Sequence, residues 1–369
     1  MTILFFLCSL ILLYTIIGYP MLVLIWAYYR PLAVNFQEQL VPISIILCVR
    51  NEDSIIQKRL QNLFNLDYPR ELIEIIVVSD GSTDNTEEIV QTFEDRGVRL
   101  LTLEKPLGKA SAFNLGVTSA SNNILLCCDA RQNFAPDVLR MLVAYFTDES
   151  VGAVSGRLII ASDESSTAGA GVEEYWNFEA WLRSKESESG SVIGVTGAIY
   201  AMRKSLYKII PPITILDDLL IPMQIIKQGK RVIYEKKAYA YDAKVVTDAN
   251  EIRRKVRTLY GNLQLLSLDS SLFLPWGNPV WFRFISHKIL RLFLPLLLLG
   301  CQLSSLLGEG LLVWAGFAQL FFWVFALVSM VTEAPLKISK LAAGFLLLNI
   351  AVILAWFYWL TGRKNIWEK

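Results

Sequence analysis

The sequence predicts an α/β protein, a parallel-sheet domain flanked by apolar membrane helices. Three observations lead there. Of 369 residues, 54% are hydrophobic and 19% charged, against about 45–50% and about 25% in soluble globular chains. The stretches 3–28, 310–331 and 341–361 contain no Asp, Glu, Lys or Arg, so nearly all charge falls in 30–291. Within that block, short apolar runs alternate with helical patterns at the spacing of βαβ units. A net charge of +1, with no Lys/Arg block that resembles an electrostatic footprint, gives no reason to expect a nucleic-acid partner. So apolar a composition also excludes a disordered chain.

Residues 3–28 exceed the roughly 20 apolar residues that a spanning helix needs. Met1 and Thr2 supply no positive charge of the kind that opens a cleavable leader, so the segment reads as a retained anchor. Arg30 follows at once, and the positive-inside tendency puts the hydrophilic block in the cytoplasm with the amino terminus outside. Segments 310–331 and 341–361 read as clean spans. Segment 289–308 contains Arg291 and Pro295. It reads either as a span or as an interfacial helix anchored by Trp276, Trp281, Phe282 and Phe284. The first reading puts Lys337 and Lys340 inside and Arg363, Lys364 and Lys369 outside; the second reverses both. The expected organisation is an anchor over 1–30, a hydrophilic domain over 40–265, interfacial or spanning helices over 275–361, and a tail over 362–369.

The five cysteines (Cys8, Cys48, Cys127, Cys128, Cys301) show no CxxC spacing and read as small buried hydrophobes in a reducing compartment. With a single histidine, His287, neither a histidine metal site nor a Ser-His-Asp triad can be built. Acid–base chemistry must therefore rest on carboxylates.

The runs 43–48 (ISIILC), 73–78 (IEIIVV), 98–103 and 124–128 (ILLCC) read as strands, with helices after the first two and over 109–120. Ligands of such sheets collect at the carboxyl ends of the strands. Arg50, Asn51 and Glu52 follow the first strand, and Ser79-Asp80-Gly81-Ser82-Thr83-Asp84 follows the second. That turn reads as strand-to-helix punctuation or as a nucleoside site in which Asp80 accepts hydrogen bonds. Gly108-Lys109 opens a helix, where a lysine beside free N–H groups suits a phosphate but also suits solvent. Asp129-Ala130-Arg131 follows the fourth strand, and a carboxylate there is placed to hold a divalent cation on a diphosphate. Asp217 and Asp218 interrupt apolar surroundings. They cap a helix from 219 onward, or they repel one another in a dry setting so that one becomes a general base. Arg253, Arg254, Lys255 and Arg257 form a basic cluster suited to phosphates or anionic headgroups.

Taken in order, these motifs resemble the processive-type branch of the family 2 glycosyltransferases, similar to cellulose, hyaluronan and poly-N-acetylglucosamine synthases. The resemblance covers roughly residues 40–265. It implies the nucleotide-sugar-binding GT-A fold and inverting transfer from a nucleotide-sugar, of the UDP type, to a glycan or lipid-linked acceptor. By the same resemblance Arg50, Asn51, Glu52 and Asp80 contact the nucleotide, and SDGSTD stands for the family's DDGSTD-like turn. Gly108-Lys109 is its GK element, and Asp129 is the first aspartate of its DxD motif, implying Mg²⁺ or Mn²⁺. Thr196 and Gly197 face the acceptor, Asp218 beside Asp217 is the general base of a TED-like motif, and Arg254 and Arg257 align with QxxRW. Trp176, Tyr175 and Trp181 are candidates to shape the acceptor groove. Membrane lipids and an export partner protein are the further partners implied, with the protein in a bacterial inner or plasma membrane.

Two positions depart from the family pattern. DxD is DAR, with Arg131 in place of the second carboxylate, and the tryptophan of QxxRW is Thr258. The second departure argues against a self-sufficient polymer synthase. It leaves open single transfer to a polyisoprenyl phosphate, and the DAR departure leaves open a scaffold with a degenerate site. A nicotinamide-binding Rossmann enzyme is excluded, because residues 48–54 contain no glycine.

Overall fold

The computed structural model describes residues 1–160, 167–242, 248–332 and 337–363, with the backbone alone at 167–175, 248–251 and 337. The side chains of Tyr175 and Lys337 and the tail residues Lys364 and Lys369 lie outside the described residues.

Helix α1 (Thr2–Tyr29) leads to β1 (Ile43–Val49), α2 (Asp53–Phe64), β2 (Ile73–Asp80), α3 (Thr86–Gln91), β3 (Val98–Leu103), α4 (Lys109–Ser119) and β4 (Ile124–Cys128). The second half of the domain holds β5 (Asn133–Phe134), α5 (Val138–Val143), β6 (Val151–Ile160), α6 (Thr167–Glu188), β7 (Ile199–Arg203), α7 (Asp217–Lys227), β8 (Arg231–Asp242) and α8 (Asp248–Leu268). The strands form one sheet in the order β3-β2-β1-β4-β7-β6-β8-β5.

β1 to β4 pair in parallel, as their alternation with helices predicts. These strands are apolar on both faces because both faces are covered. Ile43, Ile45 and Leu47 of β1 pack with α2 and α5 on one side. Ile46, Val78 and Cys127 pack with α4 and α7 on the other. The chain winds from β1 outward through β2 to β3, then returns to place β4 on β1's other edge. That reversal opens a crevice at the carboxyl ends of β1 and β4. Beyond β4 the sheet departs from the all-parallel expectation: β7 runs antiparallel to both β4 and β6. An apolar run fixes burial and not the direction of its neighbour, so the reversal is invisible in the sequence.

Among the described residues, Trp281–Leu306 (α9), Leu311–Val331 (α10) and Ile338–Thr361 (α11) join Thr2–Tyr29 as four helices long and apolar enough to cross a bilayer. α9 has two parts. Its first turns are docked on the hydrophilic domain, with Phe284 fully buried in the core beside α7, and the remainder is apolar. The docking is polar as well. His287 presents Nδ1 to Glu186 at 2.8 Å and Nε2 to Glu179 at 3.0 Å, both on α6. Arg291 pairs with Glu179, and Tyr19 of α1 donates to Glu186. Burial alone would raise Glu179, but Arg291, His287 and Lys288 hold it well below the usual carboxylate range. α8 in turn packs Val256 and Tyr260 against Ala351 and Ala355 of α11.

Candidate active site

The β1 and β2 loops are tied together at the crevice. Asn51 adopts the left-handed conformation (φ +53°), which asparagine tolerates better than most residues. There its Oδ1 accepts from the Thr83 N–H at 2.8 Å. The Glu52 N–H donates to Thr86 Oγ1 at 2.8 Å, while Arg50 is exposed. Asp80 is buried at the end of β2. Its Oδ1 accepts from the N–H of Leu107 at 2.7 Å and its Oδ2 from that of Gly108 at 3.0 Å. The aspartate thus pins the loop that delivers Lys109. Two glycines make this possible. A Cβ on Gly81 would meet the Pro106 nitrogen at 2.6 Å, and Gly108 sits at φ +91°.

Lys109 Nζ lies 3.1 Å from Asp129 Oδ1 and 3.2 Å from Asp217 Oδ2. One ammonium therefore joins residues brought in by α4, β4 and α7. Burial opposes its charge, but Asp129, Asp217 and Asp218 together raise it well above the ordinary lysine value. α7 begins at Asp217, so both aspartates sit in its first turn rather than ahead of it. Negative charge is favoured there by the helix dipole. Burial first, and the neighbouring Asp217 second, push the Asp218 carboxyl up to about 6.

The segment carrying Thr196 and Gly197 docks on that helix start. The Val195 N–H donates to the Asp218 carbonyl at 2.9 Å. Thr196 is committed to structure: its N–H donates to Ser155 Oγ at 2.8 Å, and its Oγ1 accepts from Arg183 Nη1 at 3.0 Å. Gly197 faces the Asp218 side chain directly. Arg254 and Lys255 lie over the Trp176 indole, at 5.6 and 5.3 Å from the ring centre, and Arg257 is exposed one turn on. Trp181 is exposed on α6.

Sequence reasoning misses Arg183 and Ser155. Arg183 is one of several charges along a helix, and Ser155 sits inside a strand. No spacing relates either one to Thr196, which they fix in place.

The donor set does not suit a divalent cation. Such ions take oxygen ligands, with one or two carboxylates typically supplied by protein. Here Asp129 is already paired with Lys109, and the next candidate position is Arg131, whose Nη2 lies 4.0 Å from Asp242 Oδ2. Among the described residues, no three His, Cys, Asp or Glu side chains are grouped to hold a metal. A doubly charged ion some 4 Å from an ammonium would be repelled by about 8 kcal/mol at an effective dielectric constant near 20.

The family model for glycosyl transferase family 2 matches residues 44–210. Poly-beta-1,6-N-acetyl-D-glucosamine synthase of Staphylococcus epidermidis is 27% identical over 246 residues, which is 65% of this chain and 59% of the relative. The synthase of the same name from Staphylococcus aureus strain COL is 26% identical over 237 residues, covering 63% and 57%. The chain thus spans a little under three-fifths of the length of these relatives. Among solved structures, a mannosyltransferase from Pyrobaculum calidifontis, in complex with GDP-Man and Mn²⁺, superposes with a TM-score of 0.72 at 21% identity. That match covers 98% of this chain and all of the other, so the shared fold includes the apolar helices. The sheet is a GT-A sheet, and residues 44–210 within it are similar to glycosyl transferase family 2.

Proposed function

We propose that the protein is a membrane-embedded inverting glycosyltransferase that moves a sugar from a nucleotide-sugar to a hydroxyl of a glycan or lipid-linked acceptor. The observation that carries this reading is the cluster at the sheet's switch point. A cation fixed by α4 stands beside a pair of aspartates, one of which has its carboxyl raised to about 6.

The donor lies across the carboxyl ends of β1, β2 and β4, with the nucleoside toward Arg50, Asn51, Glu52 and Asp80. Its diphosphate faces the start of α4, where the Lys109 ammonium stabilises the charge that develops as the bond to the anomeric carbon breaks. The acceptor hydroxyl attacks that carbon from the opposite face, and its proton passes to Asp218. A base with a raised carboxyl suits this task, because its conjugate acid holds the proton at neutral pH better than an ordinary aspartate would. Asp217, already paired with Lys109, keeps the ammonium aimed and sets the field that raises Asp218. Thr196 and Gly197 form the wall against which the acceptor is presented, and Arg254 and Arg257 lie on the helix that borders the crevice toward the membrane. The four apolar helices support membrane attachment, and Arg30 supports a cytoplasmic catalytic domain and an amino terminus outside.

The Staphylococcus relatives favour an N-acetylglucosamine donor and a polymeric product. A second reading, single transfer of mannose from GDP-mannose to a lipid phosphate, draws on the Pyrobaculum neighbour's ligand and on Thr258 in place of the polymer-contacting tryptophan. Nucleoside diphosphate release by the detergent-solubilised protein, across UDP- and GDP-sugars and with membrane-lipid extract as acceptor, separates the two. UDP release with a growing ladder of products supports the first. GDP release with one product supports the second. Release from neither donor with any acceptor overturns the transferase reading.

A further inference from the structure

We propose that Lys109 and Arg131 take the place of the divalent cation, so that this site binds and activates its donor diphosphate without a metal. The inference rests on the transferase reading above and concerns how that same site neutralises its substrate.

Lys109 Nζ is held at 3.1 Å from Asp129 and 3.2 Å from Asp217. It therefore occupies the space in front of the carboxylate at the end of β4, where a cation bridging a diphosphate would draw its protein ligand. The ammonium is not there by chance of rotamer. It is the first residue of α4, its loop is fixed by two backbone hydrogen bonds to Asp80, and two carboxylates from other elements share it. Two residues beyond Asp129, the chain supplies a guanidinium where a metal site would need a second carboxylate. Arg131 is partly exposed, with its side chain 42% accessible, and its ion-pair partner among the described residues is Asp242 at a long 4.0 Å. It is free to turn its planar fork toward a diphosphate, a geometry that ammonium groups do not offer. Asp242 is itself committed, accepting from Gln132 Nε2 at 2.8 Å, and so competes weakly for the guanidinium. An ammonium fixed beside Asp129 and a half-exposed guanidinium two residues beyond it give the site two cations to set against a diphosphate. They also leave Asp129 an aligner of Lys109 rather than a metal ligand.

The test is nucleotide binding by the full chain in detergent, using UDP and GDP as probes. Affinity is measured by titration calorimetry in EDTA and in MnCl₂, and bound Mn²⁺ by electron paramagnetic resonance. Wild type is expected to bind its nucleotide with the same affinity in both conditions, within about threefold, and without stoichiometric Mn²⁺. Arg131→Asp rebuilds a two-carboxylate site. It is expected to lose about tenfold or more in EDTA, to recover in MnCl₂, and to hold about one Mn²⁺ per nucleotide. Arg131→Gln keeps the side chain polar and adds no charge. It is expected to show the loss in EDTA without recovery, which keeps the test decisive if Arg131→Asp fails to fold. Wild-type binding that is tenfold or more tighter in Mn²⁺, or one equivalent of Mn²⁺ in the wild-type complex, overturns the inference and leaves the transferase reading standing. Binding of neither nucleotide under any condition overturns both.

Discussion

Gly197 lies against the side chain of Asp218, so that a Cβ at position 197 would stand 3.2 Å from the Asp218 Cβ and 3.3 Å from its Oδ2. The glycine's φ is not positive, so its role is to leave room and not to permit an unusual backbone. Gly197→Ala should therefore fold normally and push the carboxylate off its line to the acceptor. Misplacements of about an ångström cost up to about 10²-fold in rate. We expect kcat to fall tenfold or more with little change in donor KM, measured beside an unchanged unfolding temperature.

The raised carboxyl of Asp218 gives the reaction a pH signature. A base must be ionised to take a proton, and this one is pushed up to about 6, by burial and then by Asp217 against the opposing charges of Lys109, Arg183 and Lys288. Turnover should be level above pH 7 and fall about tenfold per unit below pH 6. Asp217→Asn removes one cause of the shift, so the break in the profile should move to lower pH. A profile flat to pH 4.5 would remove Asp218 from the base role.

Asp80 accepts from two backbone N–H groups of the loop that carries Lys109. Hydrogen bonds to a charged acceptor contribute about 1.5–3 kcal/mol each. Asp80→Ala should loosen the start of α4 and weaken nucleotide binding by roughly 10²-fold or more. Asp80→Asn, which still offers an acceptor to that loop, should lose less. Equal losses in the two variants would mean that the charge itself meets the nucleotide.

His287, in the first turns of α9, bridges Glu179 and Glu186 of α6. His287→Ala takes a hydrogen-bond partner from each of two buried carboxylates, and leaving a buried acceptor without its partner costs roughly 1–3 kcal/mol. The variant should unfold at clearly lower temperature in detergent and lose the seating of α6 on α1 and α9. Circular dichroism melting checks the first effect. Proteolysis within α6 checks the second.

The strands of the first half could be read almost residue by residue, because β1 to β4 are short apolar runs closed by polar residues at the crevice. Their loops (Arg50 to Glu52, Asp80 to Asp84, Lys109, Asp129) were legible for the same reason: a buried strand must hand over to polar chemistry where it meets solvent. What could not be read depends on separation in sequence. Asp217 meets Lys109, Arg183 meets Thr196, and His287 lies 101 residues from Glu186. No periodicity encodes such pairings, since they arise only when packed elements bring distant positions together. The direction of β7 and the dual character of α9 were hidden likewise, because apolar content reports burial without saying against what.

The central claim is that Asp218 takes the acceptor's proton, and one comparison tests it most directly. Nucleoside diphosphate release from the preferred nucleotide-sugar and the affinity for that nucleotide are measured together, for wild type and Asp218→Asn. Loss of about 10²–10⁴-fold in turnover, with affinity unchanged within about threefold, is the predicted result. An Asp218→Asn protein that turns over at a near wild-type rate would contradict the account.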